Sequence, residues 1–251
     1  MKKRHMFGFL STITDPLLPF WIDSAHQSGI ENIVVICDSM LLDEKESAIW
    51  EERTGGAFER KDNGGVNIYS PKFLHIPFYF IDSHNSDSLL RLVDKLDLTC
   101  LFNAGTPRQL SRRILSSISN GVVNVHPGLL PKYRGCTAVE WALYNGDKVG
   151  NTAHFMDSGY DTGPIIASEC YELPRGANYQ NVRTMVYENG CVLAGKVLSI
   201  IQNDDLKPID ARPQDPNEGE CRRPIPEEKM NTMLAEMVRR ATLTKEDECH
   251  E

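Results

Sequence analysis

The sequence predicts an α/β fold built on an open, mostly parallel, Rossmann-like sheet, and two observations predict it. In the first half of the chain, short apolar runs of strand length alternate with longer amphipathic stretches, the pattern of parallel strands joined by crossover helices. The 251 residues, 41% of them hydrophobic, also suffice to bury a sizeable core as one large domain or one domain with a tail.

Taken in order, Phe7 to Leu10 is the first strand. Asp15 and Pro16 read as an N-cap and a first-turn proline, opening a helix through about Gln27 that stops near Gly29. Ile33 to Cys37 is the second strand. Leu42 to Arg53 is rich in helix formers and ends at Thr54-Gly55-Gly56; with the polar loop from Arg60 to Gly65, it is expected at the periphery. Ile76 to Phe80 is edge-like because Pro77 cannot donate to a ladder, and Ser86 to Leu96 is a helix capped near Asn85 or Ser86. Thr99 to Phe102 and Val122 to Val125 complete the sheet. Beyond Gly135, Ala138 to Tyr144 reads as a helix, Asn151 to Met156 and Ile165 to Tyr171 as a hairpin, and Tyr179 to Gln202 as a long helix. Val182, Met185, Val186, Val192, Leu193, Val197, Leu198 and Ile201 supply its buried stripe. After Asn203, prolines at 208, 213, 216, 224 and 226 oppose regular structure until a last helix from about Glu227 to Arg240. The expected division is a catalytic domain over residues 1–203 and an irregular, proline-rich and helical extension over 204–251.

Composition narrows the function. A formal net charge of -8 opposes broad binding of nucleic acid, which needs clustered lysine and arginine. No apolar run suits a signal peptide or approaches a membrane span. The seven cysteines are scattered and form no Cys-x-x-Cys pair, so they are expected to be reduced thiols of a cytoplasmic protein without a metal site.

The chemistry concentrates in Asn124-Val125-His126-Pro127-Gly128-Leu129-Leu130-Pro131-Lys132-Tyr133-Arg134-Gly135 and in Asp157-Ser158-Gly159-Tyr160-Asp161-Thr162-Gly163-Pro164. Residues two apart on a strand share a face, so Asn124 and His126 stand together at a strand's carboxyl end, where open sheets bind ligands. Gly159 and Gly163 bracket Asp161 in a turn that can return a carboxylate to the sheet edge, favouring the imidazolium of His126. Asn124 could donate its amide to an oxyanion. These functions suit an amine attacking an acyl carbon: a donor for the negative oxygen, a group for the amine's proton, and a fixed geometry.

Asn-x-His-Pro, then Leu-Leu-Pro-x-x-Arg-Gly, then Asp-x-Gly resembles the formyltransferases that use 10-formyltetrahydrofolate, closest from Leu101 to Pro164. The resemblance implies the formyltransferase fold, and Asn124, His126 and Asp161 as the catalytic set. It implies direct transfer through a tetrahedral intermediate whose oxygen Asn124 and His126 hold, with Asp161 raising the pKa of His126. It further implies that Thr106, Pro107, Arg108, Gln109 and Leu110 border the pterin largely through backbone groups, with Asp157 to Tyr160, including Gly159, on its other side. His84-Asn85-Ser86 is a weaker candidate for cofactor contact. Arg108 could instead be a solvated helix-start residue.

Within that family, absences point to the acceptor. Phosphoribosylglycinamide enzymes carry a glycine- and serine-rich phosphate loop after the first strand, where this chain has Ser11-Thr12-Ile13-Thr14-Asp15-Pro16. Methionyl-tRNA enzymes add a C-terminal β-barrel, for which the residues after Gln202 are too few and too broken by proline. Formyltetrahydrofolate hydrolases carry an N-terminal regulatory domain, for which the chain leaves no room. The expected acceptor is the amino group of a nucleotide-linked amino sugar in surface polysaccharide synthesis. Lys132, Tyr133 and Arg134 could place its diphosphate or sugar, and Trp141 and Tyr144 could stack on it, although a solvated loop and core packing explain them too. A catalytically silent folate- or nucleotide-binding module is the alternative of another class. The apolar long helix and the last helix are compatible with a homodimer.

Overall fold

The apolar runs pair as parallel strands because helices cover both of their faces. In the computed structural model, which describes residues 5–40, 44–58, 73–215 and 217–248, β1 (Phe7–Thr12) and β2 (Ile33–Asp38) are buried at every position. β3 (Phe78–Ile81) flanks β2 at the edge; β4 (Cys100–Asn103) and β5 (Val122–His126) follow on the other side of β1, all parallel. The hairpin of β7 (Val149–Phe155) and β8 (Ile165–Tyr171) joins the same sheet antiparallel to β5, giving the order β3-β2-β1-β4-β5-β7-β8.

Strand alternation divides the core between the two faces. Phe7, Phe9, Val35 and Phe102 pack beneath α1 (Leu18–Gln27) and α6 (Tyr179–Asp204). Leu10, Ile36 and Leu101 pack beneath α3 (Asp87–Leu96) and α4 (Arg112–Ser116). α1 and α6 meet closely because a side chain at Gly195 would lie 2.3 Å from Ser28 Oγ and 2.6 Å from the Ser24 carbonyl oxygen. Ser24 Oγ donates to the Cys191 carbonyl at 2.5 Å across this contact. α6 starts at a capping box, in which Asn178 Oδ1 accepts from Asn181 N at 2.8 Å.

Several local expectations need correction. α1 starts at Leu18 instead of Asp15, because Asp15 Oδ1 accepts the Leu17 N–H at 2.8 Å and turns the chain first, while Pro19 occupies the first turn. The segment expected at the periphery, now α2 (Glu44–Thr54), is tied to the core: Trp50 stacks on Tyr187 at 4.7 Å and Phe58 is buried. The expected loop from Arg60 to Gly65, with Leu42, lies outside the described residues. Val192 leaves the buried stripe of α6 and faces out, and Val186 lines a cleft described below. The proline-rich stretch does contain regular structure, since β9 (Glu220–Arg222) pairs in parallel with β6 (Tyr133–Gly135), a strand absent from the sequence reading. α7 (Glu227–Glu248) then packs on α5 (Ala138–Tyr144). No helix among the described residues is long and apolar enough to cross a membrane.

Candidate active site

The register of β4, β5 and β7 brings three polar side chains into one row. Pairing sets Leu101 beside Val122 and Phe102 beside Val123, so Asn103 follows beside Asn124, and antiparallel pairing sets Asn124 opposite His154. Asn103 Oδ1 accepts the backbone N–H groups of Gly105 at 3.2 Å and Thr106 at 2.9 Å, which fixes which way this amide faces. Its Nδ2 therefore donates to Asn124 Oδ1 at 2.9 Å, turning Asn124 Nδ2 towards His154 Nε2 at 3.1 Å. His154 Nδ1 faces the Phe155 carbonyl at 2.9 Å and must carry a hydrogen, so Nε2 is free to accept from Asn124. Backbone groups at both ends thus set one direction for the whole relay. One Nδ2 hydrogen of Asn124 goes to His154, and the second is left for the cleft that Asn124 lines.

Asp161 arrives from the loop between β7 and β8 in a left-handed backbone conformation, φ +55°, a cost that a functional position can carry. Its Oδ2 accepts the Gly135 N–H at 2.8 Å and lies 3.4 Å from His126 Nδ1, while Oδ1 lies 3.6 Å from His154 Nε2. Burial pushes this carboxyl up, yet His154, the charge that His126 takes on at the acid pH where Asp161 titrates, and the Gly135 N–H outweigh it and bring the group to about 2. Gln214 fastens the loop by donating to the carbonyls of Asp161 at 2.9 Å and Gly163 at 2.7 Å.

His126 departs from expectation. Its Nε2 bonds the Tyr133 carbonyl at 2.6 Å, so Nε2 carries a hydrogen and neither ring nitrogen lines the cleft. Asp161 and the Tyr133 carbonyl do favour the protonated ring, but burial outweighs them and the His126 pKa is lowered instead of raised. The neutral ring therefore presents a basic Nδ1 to Asp161.

Two loops flank this constellation. In the first, Thr106 Oγ1 bonds His84 Nδ1 at 2.6 Å, Leu110 is buried, and Arg108 grips Asp38 through Nε at 2.7 Å and Nη2 at 3.0 Å. Asp38 is raised by burial, but Arg108 and the N–H groups of Met40 and His84 bring it down to about 2. Arg108 is thus anchored by Asp38 while its side chain stays 30% exposed. His84 and Asn85 act behind the loop: Asn85 Nδ2 donates to the Gln109 carbonyl at 3.0 Å and its Oδ1 accepts from Ser111 N at 2.7 Å. In the second loop, Asp157 Oδ1 accepts from Gly159 N at 3.0 Å and Thr162 Oγ1 at 2.6 Å. Gln109 joins the two, reaching the Ser158 carbonyl at 3.5 Å and the Tyr160 hydroxyl at 3.0 Å; Pro107 sits between Thr106 and Arg108.

Lys132, Tyr133 and Arg134 are committed to internal partners. Lys132 Nζ lies 2.7 Å from Asp147, which also accepts from the buried Tyr133 hydroxyl. Arg134 is 5% exposed and donates to Gln214 Oε1 at 2.9 and 3.0 Å and to the carbonyls of Glu218 at 2.9 Å and Asp215 at 3.1 Å. Trp141 lies under Arg222 at 4.8 Å and Lys229 at 4.7 Å and donates Nε1–H to the Arg223 carbonyl. Among the described residues, no group of three or more His, Cys, Asp or Glu could hold a metal.

Sequence reading missed Asn103, His154 and Gln214. A polar residue beside apolar strand positions was the available signal for the first two; Gln214, in a proline-broken stretch, had none. Because the folded Asp161 lies below its ordinary value of 3.8, its contribution to stability is present above about pH 4 and is lost as pH falls towards 2. The stability gap between the native protein and Asp161→Asn should be roughly 2 kcal/mol at neutral pH and should shrink between about pH 4 and 2. Urea denaturation across that range checks it, and a gap that stays constant would contradict the assignment.

Known proteins align with this geometry. Residues 12–186 match the family model described as formyl transferase. A methionyl-tRNA formyltransferase of Clostridium tetani is 35% identical over 100 residues, covering 39% of this chain and 32% of that protein. The chain spans about a third to a half of the length of such curated relatives. In structure, it resembles a sugar N-formyltransferase from a Shewanella species, with TM-score 0.61, 14% identity, and coverage of 92% of this chain and 87% of that one. A glycinamide ribonucleotide transformylase from Symbiobacterium toebii gives TM-score 0.59 at 19% identity, covering 84% of this chain and 95% of that one. With the model matched across all three motifs, the chain belongs to the formyl transferase family, whose members use 10-formyltetrahydrofolate as the formyl donor.

Proposed function

We propose that this chain transfers a formyl group from 10-formyltetrahydrofolate to a primary amine, and that the amine belongs to a nucleotide-linked amino sugar. The observation that carries the reading is the oriented Asn124 amide, which lines a cleft with one N–H that no described residue accepts, two residues before the His126 that pairs with Asp161. The donor, when bound, supplies the formyl carbon as electrophile. The residues present fit it: with Thr106 and Arg108 turned to His84 and Asp38, the loop bridged by Gln109 to Ser158 and Tyr160 offers a ligand mainly backbone groups. Asn124 Nδ2 donates to the formyl oxygen as negative charge develops there. The proton shed by the amine has its acceptor at the Asp161 carboxylate and the basic Nδ1 of His126 behind it. Asn103 and His154 position Asn124.

The acceptor rests on narrower support. The turn Ser11 to Pro16 has no glycine, and the carboxylate of Asp15 lines the cleft next to it, which opposes a phosphate monoester there. A net charge of -8 opposes tRNA. The 35% identity over 100 residues nonetheless favours methionyl-tRNA as the second reading. The six described cysteines are free, which supports a reducing, cytoplasmic setting.

Incubation with 10-formyltetrahydrofolate and a panel of nucleotide-linked amino sugars, phosphoribosylglycinamide and methionyl-tRNA tests the reading. Tetrahydrofolate release is expected with amino-sugar nucleotides. Release with methionyl-tRNA alone favours the second reading, and release with none marks a silent binding module. Once an acceptor is known, Asn103→Ala should lower kcat about tenfold to a hundredfold with little change in acceptor KM, since it frees Asn124 to rotate without removing a binding contact. An unchanged kcat would remove Asn103 from the positioning row.

A further inference from the structure

Asn151, on β7, is a polar residue only 1% exposed that the chemistry above does not use. It lines a cleft of about 190 Å³ that Asn124 also lines, with Trp21, Trp50 and Tyr187 as aromatic walls. Its amide has one orientation. Nδ2 donates to the Val186 carbonyl at 2.8 Å, an atom that can only accept, and to the Tyr171 hydroxyl at 3.0 Å. Both Nδ2 hydrogens are thereby spent, and no described residue donates to Oδ1. A buried amide oxygen in that position is costly until something donates to it. The facing helix keeps it uncovered, because Gly190, one turn beyond Val186 on α6, also lines the cleft. Glycine is, after proline, the poorest residue for a helix interior, so each glycine in α6 needs a reason. Packing against α1 explains Gly195. It does not explain Gly190, where a side chain would meet nothing outside the helix backbone closer than Asn151 Oδ1, at an ordinary contact distance of 3.4 Å. A methyl group at position 190 would fit, but it would stand in front of an oxygen that a hydroxyl must approach to about 2.8 Å.

We infer that Asn151 is a specificity-determining residue: its Oδ1 accepts a hydrogen bond from a ring hydroxyl of the acceptor, which the missing side chain of Gly190 admits to the cleft. The identification of the ligand as an acceptor rests on the formyl-transfer reading; its need to donate a hydrogen bond rests on Asn151. A phosphate, carboxylate or carbonyl would set oxygen against oxygen there. Few polar groups between apolar walls are what fix a ligand's orientation in such a cleft. The volume exceeds the ~150 Å³ of an apolar cavity that holds one benzene ring. It therefore suits a single hydroxylated six-membered ring, and a nucleoside diphosphate attached to that ring would lie outside.

Titration with glucosamine and with each of its monodeoxy analogues, followed by amide shifts without any formyl donor, tests this directly. In the native protein the signals of the Asn151 side chain and of the Gly190 N–H should move with glucosamine. One monodeoxy analogue, the one lacking the hydroxyl that reaches Oδ1, should bind about tenfold more weakly, the scale of one buried acceptor left unsatisfied. Gly190→Ala should be at least as stable to heat as the native protein, bind glucosamine about tenfold more weakly, and no longer distinguish that analogue. Signals that stay still, analogues that all bind as glucosamine does, or a preference that survives in Gly190→Ala would each overturn the inference; should Gly190→Ala fail to fold, the native titration decides alone. Hydroxyl-selective binding without formyl transfer to any acceptor would leave this inference standing and sink the transfer reading. Transfer to an amino-sugar nucleotide that is indifferent to Gly190→Ala would do the reverse.

Discussion

The site depends on a buried carboxylate that is kept ionised. Asp161 enters from a loop far along the chain, and its charge is held by the Gly135 N–H, with two histidine rings against it that add to the hold when protonated. The interaction ties together the β7–β8 loop, the β6 strand that presents Gly135, and the end of β5 that carries His126. Gln214 extends the tie, because the same side chain that holds the Asp161 loop also receives Arg134 from β6. A segment that reads as an irregular extension therefore braces the loop that carries Asp161, and the parallel pairing of β9 with β6 keeps it there.

The row from Asn103 to His154 has a different task. Its direction is set by backbone groups, N–H donors at one end and a carbonyl at the other, so no amide or ring in it can flip without leaving a donor or acceptor unpaired. An oxyanion donor fixed before substrate arrives needs little reorganisation during the reaction. His126 sits behind this row, with its Nε2–H given to the Tyr133 carbonyl and its basic nitrogen turned to Asp161. The proposed chemistry accordingly separates two roles that sequence reading had merged, giving Asn124 the oxygen and the Asp161–His126 pair the proton.

Much of this was legible in sequence, for identifiable reasons. The parallel strands and the long helix follow from apolar periodicity, and Asn124, His126 and Asp161 lie in motifs whose residue types state their chemistry. What stayed hidden depends on non-local register. Asn103 and His154 matter only because β4, β5 and β7 are neighbours in the sheet. Tyr133 and Arg134 read as a cationic surface loop because nothing local announces the pairing of β6 with the distant β9. The lowered pKa of His126 was likewise invisible, since burial, the effect that wins, is a property of the packed site.

The account turns on Asn124 being held by a histidine that accepts its N–H. Two-bond 1H–15N correlation spectra of histidine-labelled protein at neutral pH report this atom by atom. They should show His154 with its hydrogen on Nδ1 and a bare Nε2, and His126 neutral with its hydrogen on Nε2. A His154 ring protonated at Nε2 would require the Asn124 amide to face the other way, and would contradict the oxyanion assignment on which the proposed chemistry stands.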